Sequence, residues 1–332
     1  MASVTVLGAG AWGTALSLVA VRAGHTVTLW GRSPDKVEQL RRRGQNSLLL
    51  PGVKIPRAIR ITASLTEALR RTEVVVVTVP SHGVRPILRE AEPVCPASSL
   101  VISGTKGFEL STWRRMSQVI QDELKGRPGI VLSGPSHAEE VARGWPTAVT
   151  MAGEKRWTET GAHLLAGPMF RIYQSRDVVG VECGGAFKNV IAIAAGLAEG
   201  LKMGDNAKAA LYTRGLAELA RLGVAMGGEP LTFSGLAGLG DLLATCLSPH
   251  SRNRFVGIQL AQGRPLSKIL AGMRKVAEGV NTTKAMMILA KKYRVRVPIA
   301  EQVARVLFHG KPPRRALEDL LARQSSNQEF DF

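Results

Sequence analysis

The sequence predicts an α/β protein: an N-terminal Rossmann-type doubly wound sheet with extra strands, followed by an all-helical C-terminal domain. Three observations predict it. Short β-branched runs alternate with helical stretches as far as Tyr173, as in a parallel sheet. The first run leads directly into Gly8-Ala-Gly10-Ala11-Trp12-Gly13. Beyond Tyr173 strand signals fade, and alanine, leucine and helical periodicity take over. The boundary is expected near Val178 to Glu182, giving a dinucleotide-binding domain over residues 1–180 and a helical substrate domain over 181–332.

Val4 to Leu7 reads as the first strand, and Leu16, Val19 and Ala20 then recur at helical spacing. In such a turn Gly8 permits the sharp bend, Gly10 lets the backbone approach a pyrophosphate, and Gly13 lets helix and strand pack closely. The helix N-terminus offers free N–H groups to phosphates. A glycine-rich turn is also common punctuation. Here a second strand, Thr26 to Trp30, follows at a βαβ distance and favours dinucleotide binding. That strand ends in Gly31-Arg32-Ser33, and arginine at this place suits a ribose 2′-phosphate, so NADP(H) is favoured with NAD(H) open. A solvated loop arginine is the alternative.

Lys36 to Arg43 reads as a charged helix, and Asn46 to Pro56 as a loop. Strands follow at Ile59 to Thr62, Val74 to Val79, Leu100 to Ser103, Ile130 to Ser133, Ala148 to Met151 and Phe170 to Tyr173. The continuous Val74 to Val79 run fits a strand covered on both faces. Ligands of open α/β sheets bind beyond the carboxyl ends of strands. Lys106 and Ser136, in the loops after two of these strands, are placed to meet a substrate oxygen or phosphate. His137 reads as a partner of local backbone.

In the second half, Val181 to Gly200 is apolar around its circumference and predicts a helix buried on all sides. Lys188 interrupts it. Lysine is rarely buried without a partner, so Lys188 is either an acid/base or an amine that reaches the surface. Gly184, one turn earlier, is expected to clear space for a ligand. Ala207 to Leu222 is a further helix. Asp241 ends a glycine-rich apolar run, where an acid is costly unless paired. It reads as the partner of Lys188, as a helix N-cap, or both. Arg252 and Asn253 form a compact donor pair, and the planar guanidinium suits a phosphate. Arg254 reads as a solvated loop arginine. Glu278, at a glycine turn, is a candidate partner for a cofactor amide or ribose.

The 44 lysines and arginines against 26 acids give a formal charge of +18, which draws anionic ligands. The cations are scattered, with no aromatic-interleaved basic stripe, so a nucleic-acid partner is not expected. The cysteines Cys95, Cys183 and Cys246 stand in no metal spacing, so no metal is expected and reduced thiols are. No signal peptide and no run approaching the ~20 apolar residues of a membrane span are read, and a cytoplasmic location is expected. Repeats and low-complexity segments are absent, and the polar tail from Gln324 is expected to fray.

Together the segments resemble the bacterial NAD(P)-dependent glycerol-3-phosphate dehydrogenases. The matching stretches are Gly8-Ala-Gly10-Ala-Trp12-Gly13-Thr14, Thr105-Lys106-Gly107, Gly134-Pro-Ser136-His-Ala138, Gly184-Gly-Ala-Phe-Lys188-Asn189, Gly238-Leu-Gly240-Asp241, Ser251-Arg252-Asn253-Arg254 and Val276-Ala-Glu278-Gly. They occur in the family's order over almost the whole chain. The resemblance implies reversible hydride transfer between NAD(P)H and dihydroxyacetone phosphate in an interdomain cleft, giving sn-glycerol 3-phosphate for phospholipid synthesis. It implies Lys188 as proton acceptor in oxidation, with Lys106 and Asp241 assisting. It further implies substrate contacts at Lys106, Gly134, Ser136, Lys188, Asp241, Ser251, Arg252 and Asn253. Cofactor contacts are implied at Gly8, Gly10, Ala11, Trp12, Gly13, Arg32, Lys106, Ala138, Arg252, Val276 and Glu278. Ala11 stands where many members carry serine, and Ser33 where some carry a second basic residue, which leaves Arg32 less help at a 2′-phosphate.

Other readings of the residues keep the architecture with a 3-hydroxy acid or related carboxylate as substrate, or make the chain a dinucleotide sensor without chemistry. Homodimer or other assembly, the NADP-to-NAD ratio, direction and product feedback are open at this stage.

Overall fold

The computed structural model describes residues 1–273 and 277–322 and forms two compact units, Met1–Val178 and Val179–Phe332. The first unit contains an eight-stranded sheet: β1 (Ser3–Leu7), β2 (Thr26–Trp30), β3 (Ile59–Thr62), β4 (Val74–Val77), β5 (Leu100–Ser103), β6 (Gly129–Ser133), β7 (Thr147–Ala152) and β8 (Phe170–Ser175). Its spatial order is β3-β2-β1-β4-β5-β6-β7-β8. All neighbours are parallel except β6 and β7, which run antiparallel. Six strands thus follow the dinucleotide-binding order, with the reversal between β1 and β4, and β7 and β8 are the extra strands.

Alternation along each strand divides the core. Val4, Val6, Val74, Val76 and Ile102 join one apolar cluster, while Leu7, Val75, Val77 and Val101 join another on the opposite face. The four valines of β4 are all buried, each contributing about 1.5–3 kcal/mol. That double burial explains why this strand reads as an unbroken apolar run rather than an alternating one. The run itself ends two residues earlier than expected, because Thr78 turns its hydroxyl back to β1.

Among the described residues the second unit has helices and no strand. Its centre is the helix Val178–Gly200, flanked in the chain by Asp205–Ala225. The expectation that no stretch is long and apolar enough to span a bilayer is corrected. These 23 residues pass that test by length and composition, and 83% of their most apolar window is buried inside the protein.

Candidate active site

The turn closing β1 is fixed by backbone geometry. Gly8 holds φ +121°, a region that favours glycine. A Cβ added at Gly13 would stand 1.8 Å from the Gly8 carbonyl oxygen, so the helix Ala11–Arg22 can start against the strand only if residue 13 lacks a side chain. At Gly10 a Cβ would meet nothing within 4 Å. The backbone there is open to a ligand, and no side chain caps the helix N-terminus. This arrangement fits a dinucleotide pyrophosphate.

Two braces were not singled out in the sequence. Thr78 Oγ1 donates to the carbonyls of Leu7 and Gly8 at 2.9 and 3.2 Å, and Asn46 Nδ2 donates to that of Ala9 at 3.3 Å. Thr78 could have been noticed as the one hydroxyl inside the run Val74 to Val79; Asn46, at the start of a loop, gave no such signal. Trp12 Nε1 donates to the Gly104 carbonyl at 3.1 Å, tying the turn to the end of β5. Arg32, just past β2, is exposed and has no hydrogen bond or ion pair among the described residues. Ser33 caps the helix Pro34–Arg43, accepting from the Lys36 N–H at 3.4 Å.

Beyond β5 and β6 the chain brings three expected site residues together. Lys106 Nζ and Ser136 Oγ both donate to the Gly134 carbonyl, at 3.0 and 2.9 Å. Ala138 begins the helix Ala138–Arg143. His137 is its N-cap residue, with its carbonyl accepting from the N–H groups of Glu140 and Val141 at 3.0 Å each.

In the second unit Lys188 is 6% exposed and Asp241 1%. Lys188 Nζ donates to Asp241 Oδ1 and, at 2.6 Å, to Thr245 Oγ1. Thr245 gives its own hydrogen to the Asp241 carbonyl at 2.7 Å, leaving hydroxyl lone pairs for the amine. The amine is therefore held inside the unit, and the reading in which it reaches solvent is excluded. A buried charge without a partner would be costly, and Asp241 compensates it. Asp241 is the first residue of the helix Asp241–Leu247, after the N-cap position at Gly240, so it is not the cap. Thr245 was not singled out in the sequence; its i, i+4 spacing from Asp241 was the available signal.

The acid is delivered by a π-helical turn, Leu236–Gly240, a rare geometry that widens the helix and recurs at functional positions. The expectation for Gly184 is corrected here. A Cβ at Gly184 would stand 2.5 Å from the Ala237 carbonyl oxygen, so this glycine admits the main chain of the π turn and not a ligand. Burial pushes the neighbouring Cys246 thiol up to about 12, which makes it a packing group rather than a nucleophile.

The expected Arg252 and Asn253 pair diverges. Arg252, first residue of the helix Arg252–Ala261, is exposed. Asn253 is 7% exposed; its Nδ2 donates to Asn189 Oδ1 at 2.8 Å and its Oδ1 accepts from the Gly279 N–H at 2.9 Å. Ser251 caps that helix, accepting from the Arg254 N–H at 3.3 Å. Arg254 is not a solvated loop arginine: it forms a two-pronged pair with Glu199, with Nε at 2.6 Å. Glu278 is half-buried at the head of the helix Glu278–Tyr293, and Val276 lies outside the described residues. Among the described residues no three His, Cys, Asp or Glu side chains gather as a metal site would require.

A switch-point sheet with an open glycine turn, joined in one chain to an all-helical unit that sequesters an amine beside a carboxylate, is the architecture of a Rossmann-type oxidoreductase. Residues 3–158 match the model of the NAD-dependent glycerol-3-phosphate dehydrogenase N-terminus, and residues 177–318 that of its C-terminus. The chain belongs to the NAD-dependent glycerol-3-phosphate dehydrogenase family. It is similar to the glycerol-3-phosphate dehydrogenase [NAD(P)+] of Desulfitobacterium hafniense, at 45% identity over 99% of this chain and 93% of that one. The enzyme of the same name from Moorella thermoacetica is 47% identical over 98% of this chain and 97% of that one. A solved glycerol-3-phosphate dehydrogenase from Coxiella burnetii superposes with a TM-score of 0.93 at 37% identity, covering 97% of this chain and 99% of the other.

Proposed function

We propose that this chain interconverts dihydroxyacetone phosphate and sn-glycerol 3-phosphate with NAD(P)H, supplying glycerol phosphate for phospholipid synthesis. The observation that carries the reading is the sequestered Lys188 amine with Asp241 and Thr245 about it. The nicotinamide cofactor supplies or accepts the hydride when bound. Gly8, Gly10, Ala11, Trp12 and Gly13 would hold its pyrophosphate segment, Arg32 a ribose 2′-phosphate, and Ala138, Arg252, Val276 and Glu278 further atoms. Arg32 favours NADP(H), and NAD(H) is a second cofactor in this reading.

Substrate is gripped by its phosphate. The exposed guanidinium of Arg252 offers paired donors to phosphate oxygens, with Ser251 and the remaining Asn253 amide hydrogen beside it in sequence. Lys188 gives its proton to the oxygen at C2 during reduction and takes it back during oxidation. Asp241 and Thr245 aim the amine, so it need not reorganise when charge develops on that oxygen. Lys106, steadied by the Gly134 carbonyl, helps polarise the C2 carbonyl of the substrate, and Ser136 donates to the same ligand. The family membership and the pattern of donors favour this substrate over a 3-hydroxy acid and over a sensor without chemistry.

The test is the initial rate of dihydroxyacetone phosphate reduction with NADPH and NADH side by side, in wild type and Lys188→Met. Turnover falling at least ~100-fold in the variant, with cofactor still bound, is expected. Near-normal turnover in Lys188→Met would overturn the assignment. A cytoplasmic location is the accompanying reading, supported by three buried cysteines that form no disulfide. Assembly as a homodimer is the other, and sedimentation of the purified chain checks it.

A further inference from the structure

We propose that Arg85 and Glu109 are positioning residues for Lys106, locking the loop that presents its ammonium; the inference rests on the substrate role given to Lys106 above. Lys106 sits in a short stretch between two anchors. On the near side, the Gly104 N–H donates to the Val77 carbonyl at 2.8 Å, and Thr105 Oγ1 donates to that of Val79 at 2.8 Å. On the far side, three residues after Lys106, the Glu109 carboxylate is 7% exposed. It is gripped side-on by one edge of the Arg85 guanidinium, Nε to Oε1 at 2.6 Å and Nη2 to Oε2 at 2.8 Å. Between the anchors lie Gly107, at φ +123°, and Phe108, which is buried.

Both anchors reach back to one segment. Val77 and Val79 bound Thr78, which braces the glycine turn, and Arg85 lies on the helix Ser81–Ala91 that follows. The segment 77–85 therefore sets the register of the pyrophosphate turn and of the Lys106 loop together. Beyond Glu109 the loop is closed by the Glu109 N–H to the Arg114 carbonyl, at 2.9 Å. Arg85 is itself held by Asp122 at 2.9 Å and Glu123 at 2.6 Å. A partly buried, bidentate arginine surrounded by carboxylates is over-determined in direction, unlike a lone surface pair. With Glu109 released, the far end of the loop loses its buried ionic anchor, and the direction of the amine rests on the near anchor, the Gly134 carbonyl and a loop that bends at a glycine.

The experiment is steady-state kinetics of the full chain in Glu109→Gln, Arg85→Lys, Lys106→Met and the Glu109→Gln/Lys106→Met double variant. Glu109→Gln keeps the side chain's shape, and Arg85→Lys keeps the charge while losing the fork. The expected result is a KM for dihydroxyacetone phosphate raised about tenfold in each of the first two, with kcat changed less. In the Lys106→Met background the Glu109→Gln effect should vanish, because the two changes act through one group. An unchanged KM, or effects that simply add, overturns the proposal, since a merely stabilising pair would behave in that way. Should Arg85→Lys fail to fold, the Glu109→Gln cycle decides alone. Failure of the wild type to reduce dihydroxyacetone phosphate would instead count against the function above.

Discussion

Asn253 Nδ2 donates to Asn189 Oδ1 at 2.8 Å, and Asn189 is the immediate neighbour of Lys188 on the helix Val178–Gly200. Through its Oδ1 the same amide holds the Gly279 N–H, so one side chain joins three helices. Asn253→Ala leaves a buried acceptor and a buried N–H without partners, each worth about 1–3 kcal/mol. A lowered urea midpoint together with weakened substrate binding is expected. Loss of substrate affinity at full stability would mean that Asn253 acts on the ligand alone.

The glycine turn separates packing from ligand approach. Gly13→Ala drives a Cβ into the Gly8 carbonyl and should cost more than ~2 kcal/mol of stability as well as cofactor affinity. Gly10→Ala has open space and should leave stability within about 1 kcal/mol while weakening NADPH at least ~10-fold. Thermal melts paired with fluorescence titration of NADPH check both. Unaltered NADPH binding in Gly10→Ala would remove Gly10 from the pyrophosphate site.

Arg32 has no partner to lose among the described residues, so its replacement reports on the ligand. Arg32→Ala should raise the KM for NADPH about tenfold or more, the value of a charge-assisted contact, and leave that for NADH nearly unchanged. Equal effects on the two cofactors would place the guanidinium away from the 2′-phosphate.

Stability should depend on pH through Glu218, which is 2% exposed beneath the N-terminus of the helix Pro298–Phe308. Burial pushes its carboxyl up to about 7, against the N–H groups of Ile299 and Ala300 and the nearby Arg221. An acid raised above its ordinary 4.5 favours the neutral form in the fold. Its stabilisation is complete below pH 4.5 and is lost as pH rises to about 7, a change of about 3 kcal/mol. Glu218→Gln, permanently neutral, should lack this component. Urea midpoints of both proteins at the two ends of that range decide it, and parallel movement of the two would clear Glu218.

Much of this architecture was legible because its signals are local. β3 and β5 stand where the β-branched runs stand, and the glycine spacing announced a turn whose sterics the coordinates then display. Lys188 and Asp241 were pairable from sequence because a charge in an apolar run requires an opposite charge. What escaped depends on contacts between distant segments. Thr245 matters only once the π turn has aimed Asp241, and Asn253 changes meaning only beside Asn189 and Gly279. Arg254 looked solvated because Glu199 is 55 residues away. Gly184 was misread because a missing side chain signals space without saying what fills it.

The helices Val178–Gly200 and Arg252–Ala261 meet at backbone distance: a Cβ at Gly196 would stand 2.0 Å from the Arg254 carbonyl oxygen, and one at Gly257 2.1 Å from that of Ile193. Rods pressed together so closely have no cushion of side chains to slide on. The arginine that would seize a phosphate and the lysine that would hand over a proton are thus mounted on one stiff block. Their separation is a dimension of the scaffold, set before any substrate arrives, and a triose phosphate would be measured against it as against a gauge.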